Sequence, residues 1–166
     1  MVLKAWLALA DCEAALELLE SERDEQTFRI LWTAAVALLR TTAHVLHKVD
    51  GKRDGSLGEI SRNYYQRWKK GEGEDAIFRY FIEHERNSLL KEYTIGFQQG
   101  PVLLVPIVDG QASLDDAYDA GSDNLFRPLA GGAYAGEDAR DTLGDALDWM
   151  RRQLTAIEAE WRKSRQ

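Results

Sequence analysis

The sequence predicts an all-α fold: an antiparallel helical bundle of four long helices plus one short helix, with a small β-type insert before the last helix. Three observations support this prediction. Only 3 of the 166 residues are proline, which leaves room for long uninterrupted helices. Apolar residues make up 45% of the chain and recur at helical spacing over most of it. Short turns join most of the segments, which places consecutive helices antiparallel within one domain, residues 1–166.

The first two predicted helices cover residues 2–20 and about 21–50. In the first helix, Leu7 and Leu18 stand at helical spacing with other apolar residues, so we expect them to face the core. The second helix is apolar on nearly all sides in its middle, which predicts burial on more than one side. Its main apolar stripe consists of Phe28, Leu31, Trp32, Ala35, Leu38, Leu39, Thr42, Leu46 and Val49.

Capping and stop signals set the expected ends of the helices. Serine side chains accept hydrogen bonds from the amino end of a helix, so Ser21 and Ser56 are each expected to cap the helix that follows. Gly51 is expected to end the second helix, because glycine adopts the left-handed conformation at low cost. The remaining predicted helices cover residues 56–70, about 74–93 and about 137–162.

An insert of about residues 96–135 separates the fourth helix from the last one. Glycines and prolines bracket a β-type run over residues 102–108, which predicts a short strand. The dipeptide Asp109-Gly110 is suited to a hairpin turn at the end of this run. The rest of the insert is expected to be loop with one helical turn.

The net charge of −7 argues against a protein that coats nucleic acid non-specifically, because such binding depends on excess lysine and arginine. The acidic excess is local. Ten acidic and two basic residues between Pro101 and Asp148 give −8, which leaves the remainder of the chain at +1. A basic surface on the first two thirds of the chain is compatible with this distribution. The acidic segment is a candidate docking surface for a basic protein partner.

Cys12 is the only cysteine, which excludes an intrachain disulfide and favours a cytoplasmic location. No run approaches the roughly 20 apolar residues that a membrane span requires, so no membrane association is predicted. The sequence contains no phosphate-binding glycine loop and no motif of a serine hydrolase or a zinc protease. We therefore expect neither a cofactor nor a bound metal.

The fourth predicted helix carries the most informative polar residues. Its core stripe consists of Phe78, Phe81, Ile82 and Leu89. Glu85 falls within that stripe, and a buried carboxylate needs a partner or a shifted pKa because unpaired burial is costly. The neighbouring polar strip contains Tyr80, His84, Asn87, Ser88 and Lys91, while Arg86 and Leu90 lie on the far flank. The pattern fits a groove that binds an anion, or a plain solvated helix face.

Two further groups of residues permit more than one interpretation. Arg40, His44 and His47 share one face of the second helix. A contact with another helix or subunit is favoured there over a metal site, for which no third ligand is signalled. The third helix mixes basic and aromatic residues, as RNA-binding surfaces do. However, Tyr64 and Trp68 continue a buried stripe, which favours core aromatic residues with a basic outer rim.

A family resemblance is carried by the fourth helix, which follows a glycine break and contains Glu85-Arg86-Asn87-Ser88-Leu89-Leu90-Lys91. In this motif, and in the order of elements over residues 1–95 and the last helix, the chain resembles the HEPN domains (higher eukaryotes and prokaryotes nucleotide-binding). These are small helical bundles, often homodimeric, of toxin–antitoxin and other conflict systems, and many are metal-independent ribonucleases. Their signature is Arg, a polar residue that is often Asn, three more residues, then His.

The resemblance implies a homodimer that binds RNA or a nucleotide, with Arg86 on phosphate and Asn87 as its polar neighbour. Lys91 stands where the catalytic histidine of the family would be. A lysine, with an ordinary pKa of about 10.4, keeps its proton at neutral pH and suits phosphate binding better than base catalysis. We therefore expect an anion groove at Arg86, Asn87 and Lys91, with weak or absent nuclease activity.

Two alternatives stay open from the sequence. One is a non-enzymatic protein-interaction module of a toxin–antitoxin or regulatory pair, in which the acidic segment meets a basic partner. The other is a metal-independent endoribonuclease, with Arg86, Lys91 and His84 as its catalytic residues.

Overall fold

A computed structural model describes residues 2–166 and shows a helical bundle with a small β insert, which confirms the predicted fold class. The five main helices are α1 (Ala5–Ser21), α2 (Glu25–Val45), α3 (Gly55–Lys70), α4 (His84–Glu92) and α5 (Ala139–Lys163). A π-helical turn, Leu46–Asp50, and a last turn, Gly51–Arg53, continue α2. A 3₁₀ turn, Gly73–Asp75, and a π-helical stretch, Phe78–Glu83, precede α4. Within residues 2–166, none of the helices has both the length and the apolar character needed to cross a membrane.

Helix α1 packs against α2 and α5, with Ala5, Leu9 and Leu19 in the core. The expectation that Leu7 and Leu18 face the core is wrong, because these side chains are 64% and 56% exposed. Alanine and leucine occupy most sides of this helix, so apolar spacing alone does not select the buried face. The face that packs against the neighbouring helices is the one that becomes core.

The caps of α2 and α3 are aspartates rather than the expected serines. Asp24, not Ser21, caps α2, and its carboxylate accepts a hydrogen bond from the backbone N–H of Thr27 at 2.8 Å. Asp54, not Ser56, caps α3 by accepting hydrogen bonds from the backbone N–H groups of Ser56 at 3.0 Å and Leu57 at 3.2 Å. A carboxylate also interacts favourably with the positive end of the helix dipole, which a serine hydroxyl does less well.

Gly51 serves a close helix contact rather than a helix end. It is helical, with φ −67°, so the predicted left-handed end is wrong and the helix continues to Arg53. A Cβ on Gly58 would lie 2.6 Å from the carbonyl oxygen of Gly51. Neither glycine therefore has room for a side chain where α3 packs against the end of α2.

The π-helical turn places Asp50 at the start of α1. The carboxylate of Asp50 is fully buried and accepts hydrogen bonds from the backbone N–H groups of Lys4 and Ala5, both at 3.0 Å. The first N–H groups of a helix have no partner within it, so they require such an acceptor when they are buried. Asp50 thus joins the beginning of α1 to the far end of α2.

An aromatic cluster forms the core between α3, the π-helical stretch Phe78–Glu83 and α5. Trp68, Phe78 and Trp149 are buried, with ring centroids 5.2 to 5.7 Å apart. The indole N–H of Trp68 donates to Gln153 at 3.0 Å, and that of Trp149 donates to Asp75 at 3.3 Å. Trp68 is therefore a core residue, as its spacing favours, and does not offer a face for stacking on a base.

The insert contains two short antiparallel ribbons. Strands β2 (Ile107–Val108) and β3 (Gln111–Ala112) form the hairpin expected at Asp109-Gly110. Both turn residues have positive φ, 52° and 78°, as a tight hairpin turn requires. Strand β1 (Leu103–Leu104) pairs with β4 (Tyr118–Asp119), which lies in a segment expected to be loop.

A buried ion pair at the start of α5 holds the insert against the bundle. Asp138 caps α5 and pairs with Arg140 at 2.8 Å. The guanidinium of Arg140 also donates to the carbonyl oxygens of Asn124 at 2.7 Å and Leu125 at 3.2 Å, and the Asn124 amide donates to that of Leu19 in α1 at 3.0 Å. Burial alone would raise the pKa of Asp138, but hydrogen bonds from Arg140 help to hold it below its ordinary value.

We expect Asp138→Ala to lower the free energy of unfolding by about 3–5 kcal/mol, because it leaves the buried guanidinium of Arg140 with only the longer contact to Glu20, at 3.8 Å. Urea denaturation followed by circular dichroism measures this change. Asp145→Ala removes an exposed carboxylate from the same helix, and this control should stay within about 0.5 kcal/mol of the wild type. Equal losses in the two variants would contradict the anchoring role of Asp138.

Candidate anion-binding site

A groove between α2 and α4 gathers cationic side chains from both helices. This α2–α4 groove has a volume of about 290 Å³ and is lined by Ala37, Arg40, Thr41, His44, Arg86, Leu89 and Leu90. Arg40 and His44 lie about one turn apart on α2 and so share a face, while Arg86 lies on the side of α4 that faces them. None of the lining side chains is acidic, so the local charge is positive.

Arg86 is oriented by its neighbour and has no ion-pair partner among the described residues. Its Nη1 donates to Oδ1 of Asn87 at 2.9 Å. Within residues 2–166, no carboxylate oxygen lies within 4.0 Å of its guanidinium. A guanidinium has five N–H donors, so most of those of Arg86 are available to an anion in the groove.

Arg40 is held more firmly than Arg86. Its Nη2 donates to the hydroxyl of Tyr65 at 2.9 Å, and Oε1 of Glu83 lies 4.0 Å away. The guanidinium also lies over the rings of Tyr65 and Phe78, 5.5 and 5.8 Å from their centroids. The contact with Glu83 is at the outer limit of an ion pair, so Glu83 offsets the charge of Arg40 only in part.

A second cavity continues the cationic surface along α2. It has a volume of about 300 Å³ and shares Arg40 and His44 with the α2–α4 groove. Ala43, His47, Lys48 and Tyr65 complete its lining, again without an acidic side chain. The positive surface therefore extends beyond one cavity, over about two turns of helix.

The environment of His47 reports the positive charge of this surface. The ring of His47 stacks on Tyr65, with centroids 6.1 Å apart, and its Nδ1 lies 3.3 Å from the hydroxyl of Ser61. Burial lowers the pKa of His47, and the charges of Lys48, Arg62 and His44 lower it further. Neighbours that repel the proton of His47 create a potential that attracts anions.

The structure brings together only part of the predicted anion site. Arg86 and Asn87 are hydrogen-bonded beside the groove, whereas Lys91 is exposed and does not line it. Five positions along an α-helix separate two side chains by about 140°, so Arg86 and Lys91 diverge. His84 lines another cavity, together with Ser88. Arg86, Lys91 and His84 therefore do not converge on one point, and the geometry lends no support to a ribonuclease centre.

Glu85 is buried in the core stripe of α4, as its position in the sequence predicts, and borders the cavity that His84 lines. A Cβ on Gly96 would lie 1.8 Å from Oε2 of Glu85, so the carboxyl occupies the space that a side chain at position 96 would need. Burial raises the pKa of Glu85 to about 7. The nearby indole N–H of Trp32 lowers the pKa of Glu85, but by less than burial raises it. The distance and angle to the carboxyl do not meet the criteria of a hydrogen bond, so this N–H has no partner.

Sequence reasoning assigns Arg40 and His44 to a helix or subunit contact and does not connect them to Arg86. The packing of α2 against α4 is what makes them neighbours. A usable signal is nevertheless present in the sequence. Arg86 and Leu90 share the flank of α4 away from its polar strip, and the small side chain of Ala37 on α2 leaves space opposite that flank.

Comparisons of the chain with protein-family models, with curated proteins and with solved structures found no significant match. The resemblance to the HEPN domains therefore stays a prediction. Over the described residues 2–166, no three histidine, cysteine, aspartate or glutamate side chains are grouped as metal ligands would be. The geometry of the groove itself is thus the basis for assigning a function.

The buried carboxyl of Glu85 predicts that stability falls as the pH rises from about 4.5 to about 7, by about 3 kcal/mol in total. In this range the unfolded chain releases the proton of Glu85 while the folded protein retains it, so a rising pH favours unfolding. Glu85→Gln keeps the shape of the side chain and removes the titration. Urea denaturation of both proteins across this range measures the difference, and parallel pH profiles would show that Glu85 does not cause it.

Proposed function

We propose that the α2–α4 groove binds the phosphate groups of RNA or of a nucleotide without cleaving them. The observation that carries this proposal is the placement of Arg40, His44 and Arg86 around one cavity that no acidic side chain lines. Guanidinium groups form parallel hydrogen bonds to phosphate oxygens, and a protonated imidazole adds a further donor. These three side chains come from two helices that pack together, so their spacing is set by the core of the bundle.

An extended ligand is favoured over a single phosphate. The second cavity shares Arg40 and His44 with the groove and adds His47 and Lys48. These side chains follow α2, so they are placed to contact successive phosphates of one strand. Leu89 and Leu90 provide an apolar wall on the α4 side, which suits the face of a base or a ribose. These features together support a short single-stranded RNA as the ligand.

The charge distribution of the chain is compatible with this proposal. The acidic segment that accounts for the negative net charge lies between Pro101 and Asp148, outside α2 and α4. Beyond about 8–10 Å, salt at physiological concentration screens most of the interaction between exposed charges. A locally positive groove therefore retains its attraction for phosphate in a protein whose net charge is −7.

We expect Arg86→Ala and Arg40→Ala each to weaken binding of a short single-stranded RNA by about 1–2 kcal/mol, roughly five- to thirtyfold. Each loss should also reduce the slope of log affinity against log salt by about one. Fluorescence anisotropy of a labelled oligonucleotide at several salt concentrations measures both quantities. Arg152→Ala, the same change at an exposed position on α5, is the matched control and should bind like the wild type.

The variant Lys91→Ala distinguishes binding in the α2–α4 groove from binding at the site predicted from the sequence. If RNA lies in the α2–α4 groove, Lys91→Ala should reduce affinity less than Arg86→Ala does, because Lys91 does not line the groove. Equal losses would favour the site predicted from the sequence, at Arg86, Asn87 and Lys91. Gel analysis of the same RNA after incubation with excess protein in EDTA tests for cleavage, and degradation that Arg86→Ala abolishes would contradict a purely binding role.

The affinity for RNA should increase as the pH falls through about 6.5, the ordinary pKa of histidine, and below it. A bound phosphate favours the protonated form of His47, whose pKa is held low by burial and by the charges of Lys48, Arg62 and His44. Binding therefore takes up a proton, and acidification promotes it. Anisotropy titrations at several pH values measure the effect, and His47→Gln should flatten the profile; an equally steep profile in that variant would exclude His47 as its source.

Two further expectations from the sequence stay predictions. Sedimentation velocity at several protein concentrations tests the homodimer, which would place two copies of the groove in one particle. Co-purification at low ionic strength, followed by release at high salt, tests whether the acidic segment from Pro101 to Asp148 holds a basic protein partner.

A further inference from the structure

Another cavity lies between the start of α2 and the insert, and it shares no residue with the α2–α4 groove. It has a volume of about 290 Å³, and its charged and hydroxyl-bearing lining residues are Arg23, Glu25, Asp119, Ser122 and Arg127. Two of these side chains are cations and two are anions, so the formal charges of the lining cancel. A site of this kind suits a ligand that itself carries both signs of charge.

Arg127 is the unusual member of this lining. It is 2% exposed, and its buried Nε has no hydrogen-bond partner. Within residues 2–166, no carboxylate oxygen lies within 4.0 Å of its guanidinium. Glu85 can become neutral by keeping a proton, but a guanidinium stays charged in proteins. A buried charge without a partner is costly, so a counter-charge is expected where Arg127 borders the cavity.

The position of Arg127 is fixed from both sides. Its backbone N–H donates to Oδ2 of Asp138 at 2.9 Å, and its carbonyl oxygen accepts from the N–H of Ala139 at 2.8 Å. The guanidinium carbon lies 5.1 Å from the ring centroid of Phe28. The ring face attracts the cation but accepts no conventional hydrogen bond, so the N–H donors remain available to a ligand.

Asp119 offers a second attachment point in the same cavity. Its Oδ1 accepts hydrogen bonds from the backbone N–H groups of Val102 and Gly121 at 3.0 Å and of Ser122 at 3.3 Å. Over the described part of the chain, Oδ2 makes no such bond. The pKa of Asp119 lies below its ordinary value, chiefly because of the hydrogen bond from Val102, with a smaller effect of the charge of Arg127. Both charged groups line the same cavity, and within residues 2–166 no ion pair joins them.

We propose that this cavity binds a free amino acid, with the carboxylate on the guanidinium of Arg127 and the ammonium on Oδ2 of Asp119. A guanidinium holds a carboxylate through two parallel hydrogen bonds, and a carboxylate oxygen accepts readily from an ammonium group. Inorganic phosphate fits less well, because Glu25 and Asp119 repel a dianion. The volume of about 290 Å³ accommodates a small amino acid.

The test uses the whole ¹⁵N-labelled chain, titrated separately with glycine, acetate, methylamine and inorganic phosphate. The Nε–H signal of Arg127 reports on the environment of its guanidinium group. Glycine is expected to shift this signal and to bind at least about tenfold more tightly than acetate or methylamine, because its two charged groups act together. Tighter binding of phosphate than of glycine, or no shift with any of the four probes, would overturn the proposal.

Three variants complete the test. Arg127→Met removes the charge from a side chain of similar length and should abolish glycine binding, whereas Arg152→Met on α5 is the matched control. Asp119→Asn retains an acceptor at Oδ1 but removes the negative charge. This variant should bind glycine no more tightly than it binds acetate. If Arg127→Met does not fold, the wild-type titration and Asp119→Asn decide the question. Unchanged glycine binding in Asp119→Asn would exclude the ammonium contact.

Discussion

The carboxylate of Asp138 is the group on which the arrangement outside the helical core depends. It caps α5, accepts a hydrogen bond from the backbone N–H of Arg127 and pairs with Arg140. One buried group therefore fixes the end of the insert against the last helix. Arg140 in turn binds the backbone of Asn124, whose amide contacts the last turn of α1. Strands of two residues do not hold their own position in water. We infer that the ion pair contributes mainly by specifying where the insert lies, since a buried pair adds little net stability over an apolar replacement.

The cationic surface along α2 is locally positive in a protein whose net charge is negative. Its two cavities contain no acidic lining residue, and the nearest carboxylate contact to Arg40, that of Glu83, is long. Like charges held together in an empty groove repel one another, and the lowered pKa of His47 reflects that repulsion in part. In the function that we propose, a bound phosphate reduces this repulsion. Net charge therefore says little about what this face binds.

The sequence predicts features that depend on residues close together in the chain, such as which face of α4 is buried. It does not predict contacts between residues that are distant in the chain. Glu85 is found in the core stripe of α4 because apolar spacing over one helix is a local property. Gly51 fits a helix end and a close helix contact equally well, and only its approach to Gly58 distinguishes them. The groove depends on Arg40 and Arg86 becoming neighbours, which is a tertiary relation that periodicity does not contain. The divergence of Lys91 from Arg86, by contrast, follows from helical geometry alone and could be derived without coordinates.

The π-helical turn Leu46–Asp50 has a consequence for how this chain tolerates change in length. A π-helical turn accommodates one residue more than a regular α-helical turn, and one extra residue rotates everything after it by about 100°. With that rotation Asp50 meets the start of α1, while His47 remains on the cationic side with His44. Deleting a single residue here would restore the regular pitch and turn Asp50 away from α1. The π-helical turn thus sets the angle between the face that carries His47 and the face that carries Asp50, so the number of residues in this segment matters as well as their identity.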